Sequence, residues 1–372
     1  MEIIKVRSKR ERKQFVDLPL KMYKNNEYFV PPLYADEMAV FTDKNIYSKT
    51  CESEFFLAVK DGEVVGRIQG IIQRAHNEIS GDKRVRFTRF DAIDDQEVAN
   101  ALFGALEDWA KEKGMNIVCG PLGYSDLERE GLLIDGFEYL STFEEQYNYP
   151  YYAKLIDNCG YEKEVDWVES RLYKPNETSA KIGRVAEKTL KLNKLHIGGK
   201  NLSKKQFINK YKDGIFDCID ICYQELYGVV PFTEEMKKQI IDQFMLLIDK
   251  KFIQVVCDEN EKVVAFGLCF PAIGESLQKS GGKLTLPTLI RLLKIIKRPK
   301  ALDLGLIGVL PEYQAKGVNA AILQYLVEMF DDDNIEYCET NLNLENNVKV
   351  QQQWKYFDNI QHKRRRSYIK NL

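Results

Sequence analysis

The sequence lacks the features that usually identify a metal, disulfide or membrane protein. Its eight cysteines include no Cys-x-x-Cys pair, and its three histidines (His76, His196 and His362) lie far apart. The spacing of a zinc motif is therefore absent, and we predict no bound metal. No uncharged apolar run reaches the roughly 20 residues that a membrane-spanning helix needs. The segment from Met1 to Arg7 does not have the pattern of a signal peptide, so we expect a cytoplasmic protein with free thiols.

An excess of charge of one sign is also missing. The 372 residues carry 54 basic and 56 acidic side chains, which is a formal net charge of −2. This balance offers no general electrostatic argument for a nucleic-acid partner, and we expect none. The apolar fraction of 44% is enough for sizeable cores, and the length suits two domains better than one.

What is present is a pattern that occurs twice. Two apolar runs flank Asp61-Gly62, a strong hairpin signal, and a similar hairpin pattern surrounds the turn at 258–261. Each hairpin is followed by a predicted strand, helix and strand. In the first half these are Val85–Phe90, 95–113 and 116–119, and in the second half Leu304–Leu310, Asn319–Phe330 and Tyr337–Thr340. We therefore predict a tandem repeat of one α/β (α+β) unit, each with a mixed central sheet flanked by helices.

The expected domain boundaries follow from this repeat. The first domain is predicted to span residues 1–175, with Val165–Tyr173 as its closing strand. The polar, lysine-rich residues 176–200 are expected to cross between the halves and to include a helix at Ser179–Leu190. The second domain is predicted to span 201–372.

The segment from Gly308 to Asn319 has the order strand, glycine loop, helix. The apolar run ends at Pro311, because proline cannot extend a sheet ladder, and a loop with Gln314 and Gly317 follows. The first turn of a helix leaves N–H groups free, and its dipole favours an anion there. The segment therefore predicts a phosphate-binding loop, although an ordinary strand-turn-helix connection has the same pattern.

This loop resembles the acyl-CoA pyrophosphate loop of the GNAT superfamily of N-acyltransferases. Here it is Val309-x-Pro311-x-Tyr313-Gln314-x-x-Gly317-x-Asn319, with Asn319 where the family has Gly or Ala. The resemblance implies two GNAT-like domains and an acyl-CoA or acetyl-CoA donor, with acyl carrier protein as an alternative. The donor-binding positions that it implies are Val309, Gln314, Ala315, Lys316, Gly317, Val318, Asn319 and, further along the chain, Asn347.

The corresponding position of the first half is acidic. It contains Asp91, Asp94 and Asp95, and neighbouring carboxylates repel a diphosphate. One of these aspartates is equally suited to cap the following helix. Either way we expect no CoA loop in this half and assign the donor to the second.

The chemistry that the resemblance implies is direct attack of an amine on a thioester held between the fourth and fifth strands. Such a reaction needs a base, and the candidates are Glu339 on the fifth strand and Asp303 at the start of the fourth. Each is equally consistent with a solvated carboxylate at a strand end. Trp354 occupies the position of the family's tyrosine acid and cannot donate a proton to a thiolate.

Two further segments bear on the acceptor. An acidic, glycine-rich stretch over 119–138 precedes a run of tyrosines, and such a loop either receives a cationic amine or is a structured turn. The substrate-binding candidates are Asp126, Glu130, Tyr147, Tyr151 and Tyr152. Residues 283–300 form a basic amphipathic helix, typical of membrane-surface contact, of a lid over an apolar ligand, or of a core helix with solvated lysines.

Several short motifs along the chain resemble those of a bacterial branch of tandem GNAT proteins, and more loosely those of bacterial ceramide synthases. They include Pro31-Pro32, Gly120-Pro121, the run from Glu130 to Phe137, and Val309-x-Pro-Glu312. The resemblance implies an acyl-CoA-dependent N-acyltransferase with a small-molecule or lipid amine acceptor, the latter of the long-chain, sphingoid type. It would lie in the cytoplasm or at the inner membrane. A small-molecule N-acetyltransferase and a non-catalytic acyl-CoA-binding module remain as alternatives.

Overall fold

The computed structural model describes residues 1–174, 179–245, 248–331 and 334–372. The chain divides into two compact units. The first contains residues 1–168, 273–291 and 362–372, and the second contains 169–272 and 292–361. Each unit has strands in a mixed sheet with helices against it, as predicted. The described helices are all too short or too polar to cross a bilayer.

The elements are numbered in chain order. The strands are β1 Glu2–Lys5, β2 Cys51–Lys60, β3 Glu63–Gln73, β4 Arg84–Ala92, β5 Ile117–Gly120, β6 Leu132–Asp135, β7 Glu162–Tyr173, β8 His196–Ile197, β9 Ile253–Cys257, β10 Val263–Pro271, β11 Ala301–Val309, β12 Tyr337–Glu339, β13 Asn343–Leu344 and β14 Asp358–Asn371. The α-helices are α1 Lys9–Met22, α2 Tyr34–Ala39, α3 Arg74–Ser80, α4 Gln96–Glu112, α5 Tyr151–Asn158, α6 Ser179–Leu192, α7 Lys204–Tyr223, α8 Glu234–Phe244, α9 Gly274–Gln278, α10 Leu286–Lys297, α11 Pro311–Gln314, α12 Asn319–Phe330 and α13 Val348–Gln351.

The sheet of the first unit has the order β1-β2-β3-β4-β5-β14. Its pairs are antiparallel except β4 with β5, which run parallel. The predicted hairpin at Asp61-Gly62 is present, and both residues have positive φ (53° and 81°), as a tight two-residue turn requires. Helix α4 covers the sheet so closely that a Cβ on Gly70 would lie 2.5 Å from Leu106.

The predicted closing strand Val165–Tyr173 lies within β7, whose residues up to Val168 belong to the first unit and whose residues from Glu169 onward belong to the second. The strand beside β5 is the C-terminal part of β14, where Tyr368 lies opposite Gly120. Leu172, near the end of β7, instead lies opposite Cys338 in the second unit. Loop closure costs only slightly more free energy for a longer loop, so a strand from the far end of the chain can replace one that is near in sequence.

The second unit contains the order β7-β12-β11-β10-β9-β8. Helix α12 begins at Asn319, as predicted, and its apolar face lies in one core with Ile182 and Ala186 of α6. Helix α6 and strand β8, which lie in the expected crossover, therefore contribute to this unit. The predicted domains 1–175 and 201–372 with a crossover at 176–200 stay a prediction, and residues 175–178 of that crossover lie outside the described ranges.

A buried ion pair and several hydrogen bonds stabilise the acidic segment of the first unit. Arg67 Nε donates to Asp91 Oδ2 at 2.8 Å, and the Tyr23 hydroxyl donates to Asp91 Oδ1 at 2.9 Å. Asp95 caps α4, because its side chain accepts a hydrogen bond from the N–H of Glu97 at 2.9 Å. The capping alternative is therefore confirmed for Asp95, whereas the absence of a CoA loop from this half stays a prediction.

Glu37 is the clearest source of acid sensitivity in this unit. Burial opposes its ionisation, but Arg89, which is hydrogen-bonded to it, and Arg67 outweigh burial and lower its pKa to about 2. An unfolded glutamate has a pKa of about 4.3, so ionised Glu37 stabilises the fold by about 3 kcal/mol above that pH. This stability is lost as the pH falls from about 4.3 toward 2.

We predict that Glu37→Gln lowers the free energy of unfolding by about 3 kcal/mol at pH 7, because it leaves Arg89 buried without its partner charge. The difference from the wild type should shrink as the pH falls toward 2, where the wild-type carboxyl is protonated as well. Urea unfolding at a series of pH values measures it. Glu27→Gln, at an exposed position, is the control. A difference that stays constant with pH would contradict the assignment.

Candidate functional site

The glycine loop of the second unit joins β11 to α12. Pro311–Gln314 forms the single helical turn α11, and Gly317 then reverses the backbone with a φ of +77°. A Cβ at Gly317 would meet only Thr189 Oγ1, at 3.5 Å, so the glycine is required by its backbone conformation and not by a lack of space.

The loop presents backbone donors. Ala320 and Ala321 donate their N–H groups to the carbonyls of Gly317 and Val318, both at 3.0 Å. Among the described residues, no acceptor lies on the N–H groups of Gly317, Val318 and Asn319. Free N–H groups at the start of a helix are the donors that an anion can accept from, so the geometry is compatible with the phosphate-binding loop, which stays a prediction.

The side chains of the loop differ in exposure. Gln314 is exposed, and its Nε2 donates to the carbonyl of Val309 at 3.1 Å. Lys316 is exposed, with its Nζ 4.6 Å from the centre of the Tyr313 ring. Ala315 is exposed, Asn319 is half-buried as the first residue of α12, and Val318 is buried. All predicted donor residues from Val309 to Asn319 therefore lie together, whereas Asn347 caps the separate helix α13.

Strands β11 and β12 part soon after they meet. Their parallel register covers only Ala301–Asp303 against Tyr337–Glu339, whereas β11 continues along β10 to Val309. The edge of β11 from Gly305 to Val309 that faces away from β10 is here called the open edge. The resemblance to GNAT proteins places the thioester between these two strands, so the open edge is where its carbonyl would lie.

Side chains contact the open edge in place of a strand. Asn341 Nδ2 lies 3.3 Å from the carbonyl oxygen of Gly305. The Tyr223 hydroxyl, from the end of α7, donates to the carbonyl of Ile307 at 2.9 Å and accepts from its N–H at 3.2 Å. Cys222 Sγ lies 3.3 Å from the Val309 oxygen. Polar side chains thus satisfy backbone groups that a neighbouring strand would otherwise satisfy.

Both candidate bases lie at the point where the strands part. Asp303 and Glu339 are neighbours in the parallel register, and both are buried. Glu339 Oε1 accepts hydrogen bonds from Arg171 Nε at 2.9 Å and Nη2 at 2.5 Å. Burial opposes the charge on Arg171, but Glu339 outweighs burial and raises the pKa of Arg171 above its usual value. Glu339 is therefore held as the carboxylate of an ion pair.

Trp354, which the resemblance aligns with a tyrosine acid, is a buried, hydrogen-bonded side chain. Trp354 Nε1 donates to Asn343 Oδ1 at 2.7 Å, and the side chain is 6% exposed. Tyr356 is close in sequence but 44% exposed. The carboxamide of Asn347 accepts from the N–H of Val350 at 3.3 Å, which accounts for it as a helix cap.

The substrate candidates of the first unit lie mainly in its interior. The hydroxyl of Tyr147 donates to the carbonyl of Phe137 at 3.1 Å, that of Tyr151 to Ala92 at 2.8 Å, and that of Tyr152 to Asp91 at 3.3 Å. These bonds account for the three tyrosines as core residues. Their role toward a substrate stays a prediction.

Of the two acidic candidates in the first unit, Asp126 is closer to solvent than Glu130. Asp126 is half-buried, whereas Glu130 is 6% exposed. Burial, together with the charge of Asp126, raises the pKa of Glu130 well above its usual range. This environment therefore disfavours the ionised form of the Glu130 carboxyl group.

The second unit also contains a pocket that the sequence did not predict. Its volume is about 460 Å³, and it lies between α6, the segment after β8, and the middle of α12. Gly198, Gly199, Lys250, Gln324 and Tyr325 are among the lining residues. The donor loop does not line this pocket, since the lining residues of α12 begin at Ala321.

Sequence reasoning missed Arg171 and Tyr223. A charged residue between apolar ones in a predicted strand is a signal for a buried ion pair, and Arg171, which precedes Leu172, has such a position. For Tyr223 the sequence holds no comparable signal, because its contact with Ile307 joins residues 84 positions apart.

The chain has the tandem GNAT fold, as predicted. A tandem GNAT protein from the clavulanic acid biosynthesis pathway aligns with 100% of this chain and 98% of its own, at a TM-score of 0.53 and 12% identity. A GCN5-related glucosamine N-acetyltransferase region of a fungal multi-domain GH3 β-N-acetylglucosaminidase aligns with 99% of this chain and 38% of its own, at a TM-score of 0.58 and 10% identity.

Relatives in sequence agree with the predicted resemblance. The chain is 26% identical to protein YghO of Escherichia coli K12 over 375 residues, which cover 98% of this chain and 94% of that protein. It is 27% identical to the bacterial ceramide synthase of Caulobacter vibrioides over 325 residues, which cover 84% and 82%. No protein-family model matches the chain.

We predict that Gly317→Val abolishes binding of CoA, because a β-branched residue resists the positive φ that aims the loop N–H groups. Thermal shift with CoA and with palmitoyl-CoA measures binding, since a ligand raises stability by RT ln(1 + [L]/Kd). Gly62→Val is the matched control, because Gly62 also has positive φ but lies in a hairpin turn of the first unit. Equal CoA binding by both variants would contradict the loop assignment.

Proposed function

We propose that the protein is an acyl-CoA-dependent N-acyltransferase in which an amine attacks the thioester directly. The observation that carries the proposal is the combination of free loop N–H groups at 317–319 with the open edge of β11, which leads back to the buried carboxylate Asp303. The loop N–H groups could hold a diphosphate, and the open edge could hold a thioester. Asp303 could accept the amine proton.

Donor binding depends on the main chain of the loop. The diphosphate of CoA would accept hydrogen bonds from the N–H groups of Gly317, Val318 and Asn319, with Lys316 near enough to add charge. Because these donors belong to the backbone, Asn319 in place of Gly or Ala does not remove them. An acyl carrier protein offers a thioester without the diphosphate, so it would use the open edge but not these donors.

We propose Asp303 as the base. Glu339 is engaged by two N–H groups of Arg171, and a carboxylate in such a pair binds a proton less readily. In the step, the amine nitrogen forms a bond to the thioester carbon, the carbon–sulfur bond breaks, and the amine proton passes to Asp303, directly or through water. The electron pair leaves on the CoA thiolate, which takes a proton from solvent.

Similarity to a ceramide synthase favours a long-chain amine as acceptor. Helix α10 agrees with a lipidic substrate, because Leu286, Ile290 and Leu293 form a stripe at helical spacing that is 48–72% exposed. No acidic residue occurs between Glu275 and Asp303, and exposed Lys294, Lys297 and Arg298 are interspersed with the stripe. We propose that this face lies on an anionic bilayer from which the acceptor is drawn.

Two other functions have a specific observation in their favour. Similarity of fold to a solved glucosamine N-acetyltransferase region favours acetyl transfer to a small molecule. Trp354, buried where the family has a tyrosine, favours a module that binds acyl-CoA without turning it over. The choice among the three rests on the donor preference and on turnover.

We predict that the protein releases CoA thiol faster from palmitoyl-CoA than from acetyl-CoA when a sphingoid amine is present. Asp303→Asn should lower kcat by about 100-fold or more, because a general base contributes at least that much, and should leave CoA binding unchanged. Glu339→Gln should retain more activity. A thiol-release assay with melting curves for each variant measures this.

The outcomes separate the functions. Wild-type kcat in Asp303→Asn would exclude Asp303 as the base. A preference for acetyl-CoA would favour the small-molecule enzyme, and binding of CoA without turnover of either donor would favour the non-catalytic module. A failure to bind either donor at millimolar concentration would overturn the proposal as a whole.

We predict that replacing Leu286, Ile290 and Leu293 together with serine abolishes co-sedimentation with vesicles that contain anionic lipid. Vesicles of zwitterionic lipid alone should bind the wild type weakly, because the lysine and arginine side chains then lose their attraction. The matched control replaces Ile79, Leu192 and Ile360 with serine, three apolar residues that are 52–71% exposed elsewhere. Equal loss in both triple variants would show that the face is not specific.

A further inference from the structure

A histidine, a cysteine and a glutamate converge at one end of the second unit. His196 of β8 lies opposite Cys257 of β9, so both side chains stand on the same face of the sheet. Glu261 lies in the turn that follows β9, with a positive φ of 64°. One ligand atom from each of the three residues lies within 4.8 Å of the other two. Residues that are 61 and four positions apart in sequence thus meet at one point, which is why no spacing motif marks them.

The carboxylate of Glu261 has one oxygen committed to neighbours and the other turned toward the cluster. Lys210 Nζ lies 2.7 Å from Oε2, and the Tyr211 hydroxyl donates to the same oxygen at 3.3 Å. Oε1 lies 3.0 Å from His196 Nε2. Donors that fix the second oxygen of a carboxylate are what orients such a ligand in metal sites. Lys210 also lowers the pKa of Glu261, so the group is an anion at neutral pH.

The third ligand atom is the sulfur of Cys257, which lies in the protein interior. Cys257 is fully buried, whereas the side chains of His196 and Glu261 are 44% and 47% exposed. A cation would therefore enter from the solvent side, between the imidazole and the carboxylate, and meet the sulfur at the base.

We propose that His196, Cys257 and Glu261 bind one Zn²⁺ ion, with a water molecule as the fourth ligand. Sulfur, imidazole nitrogen and carboxylate oxygen are the ligands that zinc takes, and three protein ligands with a solvent-facing side suit its tetrahedral geometry. Binding displaces the thiol proton to solvent, which leaves a thiolate as the ligand. The Lys210 contact to Oε2 is compatible with the ion, because Oε1 is the coordinating oxygen.

The ion would tie β8 to the hairpin formed by β9 and β10. Strand β8 is only two residues long. Its second residue, Ile197, lines the 460 Å³ pocket of this unit together with residues 198–200. A bond from His196 to an ion held by the hairpin fixes that wall of the pocket. Zinc binding is therefore expected to raise the melting temperature of the protein in proportion to the logarithm of the free zinc concentration.

The full chain, treated with a chelator and dialysed, provides the test. We expect one zinc ion per chain by isothermal titration and elemental analysis, and with Co²⁺ a near-ultraviolet sulfur-to-cobalt charge-transfer band. Cys257→Ser should abolish this band, whereas Cys159→Ser, at a half-buried thiol of the first unit, should retain it. His196→Ala should weaken zinc binding by more than the about 100-fold that loss of an outer-shell partner causes, whereas His76→Ala should not.

Folding of the variants is verified independently. His196 is exposed, so its alanine variant keeps the core intact, and far-ultraviolet circular dichroism checks each protein. A stoichiometry well below one, or a cobalt band that survives Cys257→Ser, overturns the proposal and leaves the His196–Glu261–Lys210 contacts as a surface ion-pair network. These readouts do not depend on donor binding or turnover, so the zinc site and the acyltransferase proposal stand or fail separately.

Discussion

The early parting of β11 and β12 is the constraint on which the candidate site depends. Backbone N–H and C=O groups that lose a neighbouring strand must find other partners, and along β11 they find Asn341, Tyr223 and Cys222. The gap therefore persists without leaving the strand edge unsatisfied. It also determines where the buried carboxylates lie, since Asp303 and Glu339 form the last pair of the parallel register. A longer parallel pair would satisfy the edge with backbone groups and leave no opening beside these carboxylates.

The connection from strand to helix differs in its chemistry between the two units. In the second, the connection from strand to helix contains a glycine with positive φ and ends in free N–H groups. In the first, the equivalent connection begins at Asp91, which is buried between Arg67 and two tyrosine hydroxyls, and ends at Asp95, whose side chain occupies the helix N-terminus itself. A helix N-terminus that is already capped by a carboxylate has little to offer a phosphate. A common arrangement of strand and helix thus presents free N–H groups in one unit and an ion-pair network in the other.

Local patterns in the sequence predict a large part of this fold. Asp61-Gly62 identifies the first hairpin, and the spacing of apolar residues places the start of α12 at Asn319, because turns and helices are determined by near neighbours. Long-range strand pairing is different in kind. The pairing of Leu172 with Cys338 and of Tyr368 with Gly120 joins residues more than 160 positions apart, and no local signal shows which distant strand a given strand will pair with. The same limit hides the Arg171–Glu339 pair and the meeting of His196 with Cys257, whereas the donor loop is contiguous and was readable as a unit.

The same difference between contiguous and long-range features separates the two parts of the proposed function, which are donor recognition and proton transfer. Donor recognition relies on main-chain N–H groups, which every residue except proline supplies, so it survives departures such as Asn319. Proton transfer relies on side chains, and there the chain departs further, with Trp354 hydrogen-bonded to Asn343 where an acid is expected. A thiol has a pKa of about 8.5, so the thiolate of CoA is a tolerable leaving group without a protein acid. An amine, with a pKa nearer 10, is a nucleophile only once it has lost a proton. The base is therefore the group that the proposed chemistry cannot omit, and we propose that it is one of the carboxylates where β11 and β12 part.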